Sequence, residues 1–122
     1  MPSPTPKPSS NSVVVKSVDY AAVRREMDGY ARRLLATRPD VEEIIVFGSF
    51  EKGNYAPGSD LDVFIILTRS DRPVRERIPE LLPGPFPVPT DIFPYTREEM
   101  TSLTPSLLLD AVAHSRWRYR RS

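Results

Sequence analysis

Two short apolar runs constrain this chain more than anything else in it: Ile44-Ile45-Val46-Phe47 and Val63-Phe64-Ile65-Ile66-Leu67. Both are rich in β-branched and aromatic residues. The first ends at Gly48 and the second is opened by Asp60-Leu61-Asp62, so both are expected to be strands. Between them stand Gly48-Ser49 and then ten residues. Side chains two apart on a strand share a face, so Asp60 and Asp62 present paired carboxylates to one side while Leu61 turns to the core. Like charges held this close repel, and a hard cation such as Mg2+ relieves them, completing its shell with water and phosphate oxygens. A helix starting just after Ser49 would add free N–H groups and a hydroxyl, an anion site suited to phosphate. Gly48 permits close backbone approach there, and Lys52 brings a positive charge one turn on.

The rest of the composition narrows the class. The chain has 122 residues and no cysteine, which excludes disulfides and thiolate chemistry and fits a cytoplasmic location. A formal charge of +1 gives no global pull toward nucleic acid or an anionic membrane. Apolar runs of about five residues fall far short of the roughly 20 that cross a bilayer. MPSPTPKP has no apolar core, so no secretory signal is expected at the start.

The joint pattern resembles the nucleotidyltransferase superfamily that includes DNA polymerase beta, and most closely its minimal branch. That family carries Gly-Ser, about ten residues, Asp-x-Asp, and a third acidic residue on a later strand. Gly48-Ser49, Ser59-Asp60-Leu61-Asp62 and Asp91 match it. Where the family often reads Gly-Ser-x-Ala-Arg-Gly, this chain has Gly48-Ser49-Phe50-Glu51-Lys52-Gly53. Lys52 keeps the charge without the planar fork of arginine, and Glu51 sets a negative charge near the phosphate site. Phosphatases and glycosyltransferases that use Asp-x-Asp place it after an apolar strand, whereas here it precedes one.

The resemblance implies a fold, a site and a reaction. The fold is a small mixed sheet with helices packed on one face. Asp60, Asp62 and Asp91 would hold two Mg2+ ions and carry the catalysis. Gly48, Ser49, Lys52 and Ser59 would bind the nucleotide phosphates. The reaction would pass a nucleoside monophosphate from ATP or another NTP to an acceptor hydroxyl. A chain of this size also resembles the antitoxin of a two-gene pair, whose partner would be an all-helical HEPN-type toxin. A homo-oligomer stays open.

Along the chain, residues 1–12, with Pro2, Pro4, Pro6 and Pro8, are expected to be a disordered tail, and residues 13–122 the domain. Asp19 caps a helix to about Thr37 with an apolar stripe of Val23, Met27, Tyr30, Ala31 and Leu34. Arg24, Arg25, Arg32 and Arg33 lie off that stripe as a solvated face. A short helix over 75–82, interrupted by Pro79, precedes the stiff segment 83–89. A strand over 90–95 follows, then the capping-box sequence Thr96-Arg97-Glu98-Glu99. Thr104-Pro105 opens one more helix through Leu107, Leu108, Ala111 and Val112. The alternation in Arg116-Trp117-Arg118-Tyr119-Arg120-Arg121 predicts a final edge strand guarded by charge. The mixed order of strands and helices gives an α/β or α+β class. His114 and Tyr55 are read as structural.

Two rival readings stand beside the enzyme. One is a non-catalytic interaction protein that neutralises a partner by binding, with Glu51 as its best support. The other is a nucleic-acid-binding subunit resting on the terminal arginines.

Overall fold

Residues that are apolar at every position, rather than every second one, need cover on both sides of a sheet. That condition is met here. The structure, a computed structural model, describes residues 18–103 and 106–121, with only the backbone of 106 and 107. The expectations for the start of the chain and for Thr104-Pro105 lie outside these residues. The elements run α1 (Tyr20–Thr37), β1 (Val41–Phe47), α2 (Ser49–Lys52), β2 (Leu61–Leu67), α3 (Val74–Leu81), β3 (Thr90–Thr96), α4 (Arg97–Met100), α5 (Ser106–His114) and β4 (Trp117–Arg120).

The described strands form one mixed sheet in the order β3-β2-β1-β4. β1 is antiparallel to both β2 and β4, whereas β2 and β3 are parallel. On one face, Ile44, Val46, Leu61, Val63, Ile65 and Ile92 pack beneath the α1 stripe of Val23, Met27, Tyr30, Ala31 and Leu34. On the other, Ile45, Phe47, Phe64 and Ile66 pack with Val112 of α5. The expected single helical face is therefore corrected to two: the sheet is a middle layer. The physical reason is the unbroken run Val63–Leu67, which is buried at all five positions.

α1 begins where expected, with the Asp19 carboxylate accepting from Ala22 N at 3.0 Å. Arg24, Arg25, Arg32 and Arg33 are exposed on it. α3 differs from expectation because Pro79 sits inside it without breaking it. The helix is pinned from outside: Arg77, almost fully buried, donates to Arg72 O, Pro94 O and the Glu99 carboxylate. The same contacts seat α3 beside the outer strand β3. At the opposite edge, β4 buries Trp117 and half-buries Tyr119 while Arg116 and Arg120 remain exposed, the guarded edge that the alternation predicted.

Candidate active site

The turn after β1 sets the geometry. Phe50 is fully buried and anchors α2, so the chain must reverse sharply between Phe47 and Phe50. Gly48 makes that reversal at φ +82°, in the region that side chains disfavour. A Cβ at Gly48 would lie 2.5 Å from the Asp62 Oδ2. The glycine is thus required twice, once for its backbone conformation and once because a carboxylate occupies the space a side chain would take. The resemblance assigned Gly48 to phosphate approach; its nearest neighbour here is an aspartate.

Asp62 is the second residue of β2, and the ladders place it opposite Phe47 on one side and Asp91 on the other. Asp60 lies two residues earlier, just before β2 begins, and its charge reaches both other aspartates. Leu61, between them, is fully buried as expected, and its N–H donates to Pro89 O at 2.8 Å. That bond fixes the start of β3 against the Asp-Leu-Asp segment and so sets where Asp91 stands. Pro89 ends the loop before β3, as the sequence predicts; the bond from Leu61 to its carbonyl is what the sequence does not reveal.

The three carboxylates feel one another. Burial, then the charges of Asp91 and Asp60, push the Asp62 carboxyl up to about 6. Asp91 is raised as well, by partial burial and by the nearby Asp60 carboxylate. Among the described residues no three acidic side chains already stand in chelating positions. Asp62 lies against Gly48, and the charges of both Asp60 and Asp91 act on it. Asp60 and Asp91 are exposed. A crowd of oxygen donors without a counter-charge, two of them raised above the usual carboxylate range, suits a hard divalent cation.

The remaining expected residues surround this cluster unevenly. The Ser49 side chain is partly buried at the first position of α2, where the leading N–H groups have no acceptor within the helix and Gly48 supplies no side-chain cap. α2 is held by Lys52 N to Gly48 O at 3.0 Å and Gly53 N to Ser49 O at 2.9 Å. Lys52 itself is exposed. Ser59 Oγ accepts from Ala56 N at 2.8 Å, which fastens the preceding turn and leaves the hydroxyl proton free to donate. Glu51 turns its carboxylate to Arg116 N at 3.3 Å, so its role is to tie α2 to the start of β4. Tyr55 has both ring faces occupied, stacking on Phe50 at 4.8 Å and on Tyr20 at 5.5 Å. It packs the loop, as the sequence reading had it. His114, exposed at the end of α5, faces Asp110 O at 2.8 Å.

A carboxylate cluster on paired strands beside a Gly-Ser turn is matched by a family model described as a nucleotidyltransferase domain, over residues 28–112. This chain belongs to the nucleotidyltransferase domain family. Its activity class is accordingly nucleotidyl transfer, with a nucleoside triphosphate as substrate. Among solved structures, a protein of Sulfolobus solfataricus described as a candidate nucleotidyltransferase superposes with a TM-score of 0.55. The match covers 70% of this chain and 77% of that one at 18% identity, a likeness of fold. No curated protein matches the chain. No helix among the described residues is long and apolar enough to cross a membrane.

Proposed function

We propose that this nucleotidyltransferase is metal-dependent and transfers AMP from ATP to a hydroxyl of a protein acceptor, with Asp60, Asp62 and Asp91 as its catalytic residues. The observation that supports this most is the pairing of Asp62 with Asp91 across parallel strands, with the Asp60 carboxylate near enough to raise both. These three carboxylates would hold two Mg2+ ions. Bound there, the metal supplies charge neutralisation of the triphosphate and acidification of the acceptor hydroxyl.

The chain's own residues do the rest. Gly48 keeps the Asp62 carboxylate at a fixed place by leaving room for it. Ser49 Oγ and the leading amides of α2 hold the outer phosphates, with Lys52 adding charge and Ser59 Oγ a further donor. Asp91 takes the acceptor proton at a carboxylate oxygen. The acceptor oxygen bonds to the α-phosphorus as the bridge to the β-phosphate breaks, and pyrophosphate leaves. Most of the protein's contribution is positioning. The acceptor is read as a HEPN-type toxin of a two-gene pair on the resemblance described above. With Glu51 engaged by the Arg116 amide, the binding-only reading loses its best support.

The test is incubation of the full chain with α-labelled ATP, Mg2+ and the product of a neighbouring gene. Label should appear on that protein and fall at least about 100-fold in Asp62→Asn. Label transfer that survives Asp62→Asn, or that persists in excess EDTA, refutes the assignment.

A further inference from the structure

The arginine-rich closing strand takes no part in the proposed chemistry, yet it lines a second concave site. A groove of about 470 Å3 lies between α4, α5 and the sheet. Its floor is apolar, with Ile66, Met100 and Val112, and Arg97, Arg118 and Arg120 stand around it. Glu43 is also in the groove, four residues before Phe47 on β1. A strand rise of about 3.3 Å per residue therefore sets it roughly 13 Å from the end of β1, where the Gly48 turn begins.

The guanidinium groups are held in place. Arg118 donates from Nε to Glu43 at 2.7 Å and from Nη1 to Ser115 O at 2.9 Å. Arg120 donates from Nε to the same Glu43 oxygen at 2.9 Å. Arg97 donates from Nε and Nη2 to Glu42 at 3.1 and 2.6 Å. A guanidinium has five N–H donors, so these bonds orient the groups without exhausting them. Among the described residues the two terminal nitrogens of Arg120 and Nη1 of Arg97 meet no protein acceptor. The side chains of Arg120 and Arg97 are 69% and 59% exposed, so those donors are within reach of a ligand.

We propose that this groove binds an acidic polypeptide segment, with a large apolar side chain seated on Met100 and Val112 and carboxylates on Arg97 and Arg120. The charge pattern chooses this occupant over a polynucleotide. Glu42 and Glu43 stand among the three arginines, so a strand with a phosphate at every residue would be driven past two fixed carboxylates. A peptide can place single carboxylates where the spare donors are. The apolar floor gives a phosphate backbone nothing, whereas a buried side chain gains from it. Methionine adapts its shape to what it meets, and arginine is enriched at the energetic centres of protein interfaces. This site does not depend on the catalytic reading.

Selection of a random-peptide library on the immobilised full chain tests the proposal. The enriched peptides should carry acidic residues beside Leu, Met, Phe or Trp. Affinity for the synthesised consensus peptide should fall at least about tenfold in the double variant Arg97→Ala/Arg120→Ala, whose replaced side chains are mostly exposed and whose folding circular dichroism verifies. Asp62→Asn should bind the peptide as the unaltered chain does. The proposal is overturned by a library without enrichment, by a consensus lacking acidic residues, by undiminished binding in the double variant, or by oligouridylate that displaces the peptide.

Discussion

Asp62 carries the strongest electrostatic burden at the site, and its cost in the metal-free protein has a definite sign. Its folded carboxyl titrates near 6 against an ordinary 3.8, with burial the main cause and the charges of Asp91 and Asp60 next. Below pH 3.8 both folded and unfolded chains hold the proton, and the group is neutral to stability. Between 3.8 and 6 the unfolded chain releases its proton first, so stability falls as pH rises, and above 6 the loss is complete. Asp62→Asn should therefore stabilise the protein in EDTA at pH 7.5, on the order of 1–2 kcal/mol after screening is allowed for. Thermal melts across pH should show the gap closing below pH 4. Excess Mg2+ should raise the melting temperature of the unaltered chain and leave Asp62→Asn unmoved. An Asn variant that is less stable than the parent at pH 7.5 without metal would contradict this account. The carboxylate spacing was legible in the sequence because a strand's period is two. The contact between Gly48 and Asp62 was not, since it depends on how β1 and β2 register.

α4 spans a single turn and owes its existence to one side chain. Glu99 closes the capping box, accepting from Thr96 N at 2.9 Å while Thr96 Oγ1 accepts from Glu99 N at 3.1 Å. The same carboxylate takes two bonds from the buried Arg77, at 2.7 and 2.8 Å. The Arg77 guanidinium, followed by the Thr96 amide, holds the Glu99 carboxyl down at about 2. A lowered acid contributes stability that is fully present above its ordinary 4.5 and is lost as pH falls through about 2. Glu99→Gln should cost about 2 kcal/mol at pH 7 by weakening the cap and leaving the Arg77 charge unpaired. Chemical denaturation at several pH values should show that difference shrink steadily between pH 4.5 and 2. A difference independent of pH would mean that packing, rather than the ion pair, is what the glutamate provides. The capping box could be read from Thr96-Arg97-Glu98-Glu99 because its four residues are consecutive. Its second partner could not, because Arg77 lies 22 residues away. That distant contact also explains how α3 tolerates Pro79.

At the level of the whole molecule the sheet is shared by two cores, and this decides how the protein should unfold. Among the described residues the α1 core and the α5 core are separate clusters on the two faces of the sheet, and alternate strand residues enter each. Types and positions of most elements were legible from apolar periodicity and caps, and the exception is instructive. A single helical layer was expected from the family resemblance alone. The unbroken burial of Val63–Leu67 already required the second layer. Val23 and Val112, at 0% and 3% exposure, probe the two cores separately. Each replacement by alanine removes two methyl groups and should cost about 1–2 kcal/mol, from transfer at about 0.8 kcal/mol per group plus the cavity left behind. The side chains lie on opposite faces and share no partner, so the double variant should cost the sum to within about 0.5 kcal/mol. Urea denaturation followed by tryptophan fluorescence and by circular dichroism should give one coincident transition for all three variants, because neither core survives without the strands they share. A Val112→Ala change without cost would place α5 outside the cooperative unit, and two separate transitions would show that the layers fold independently.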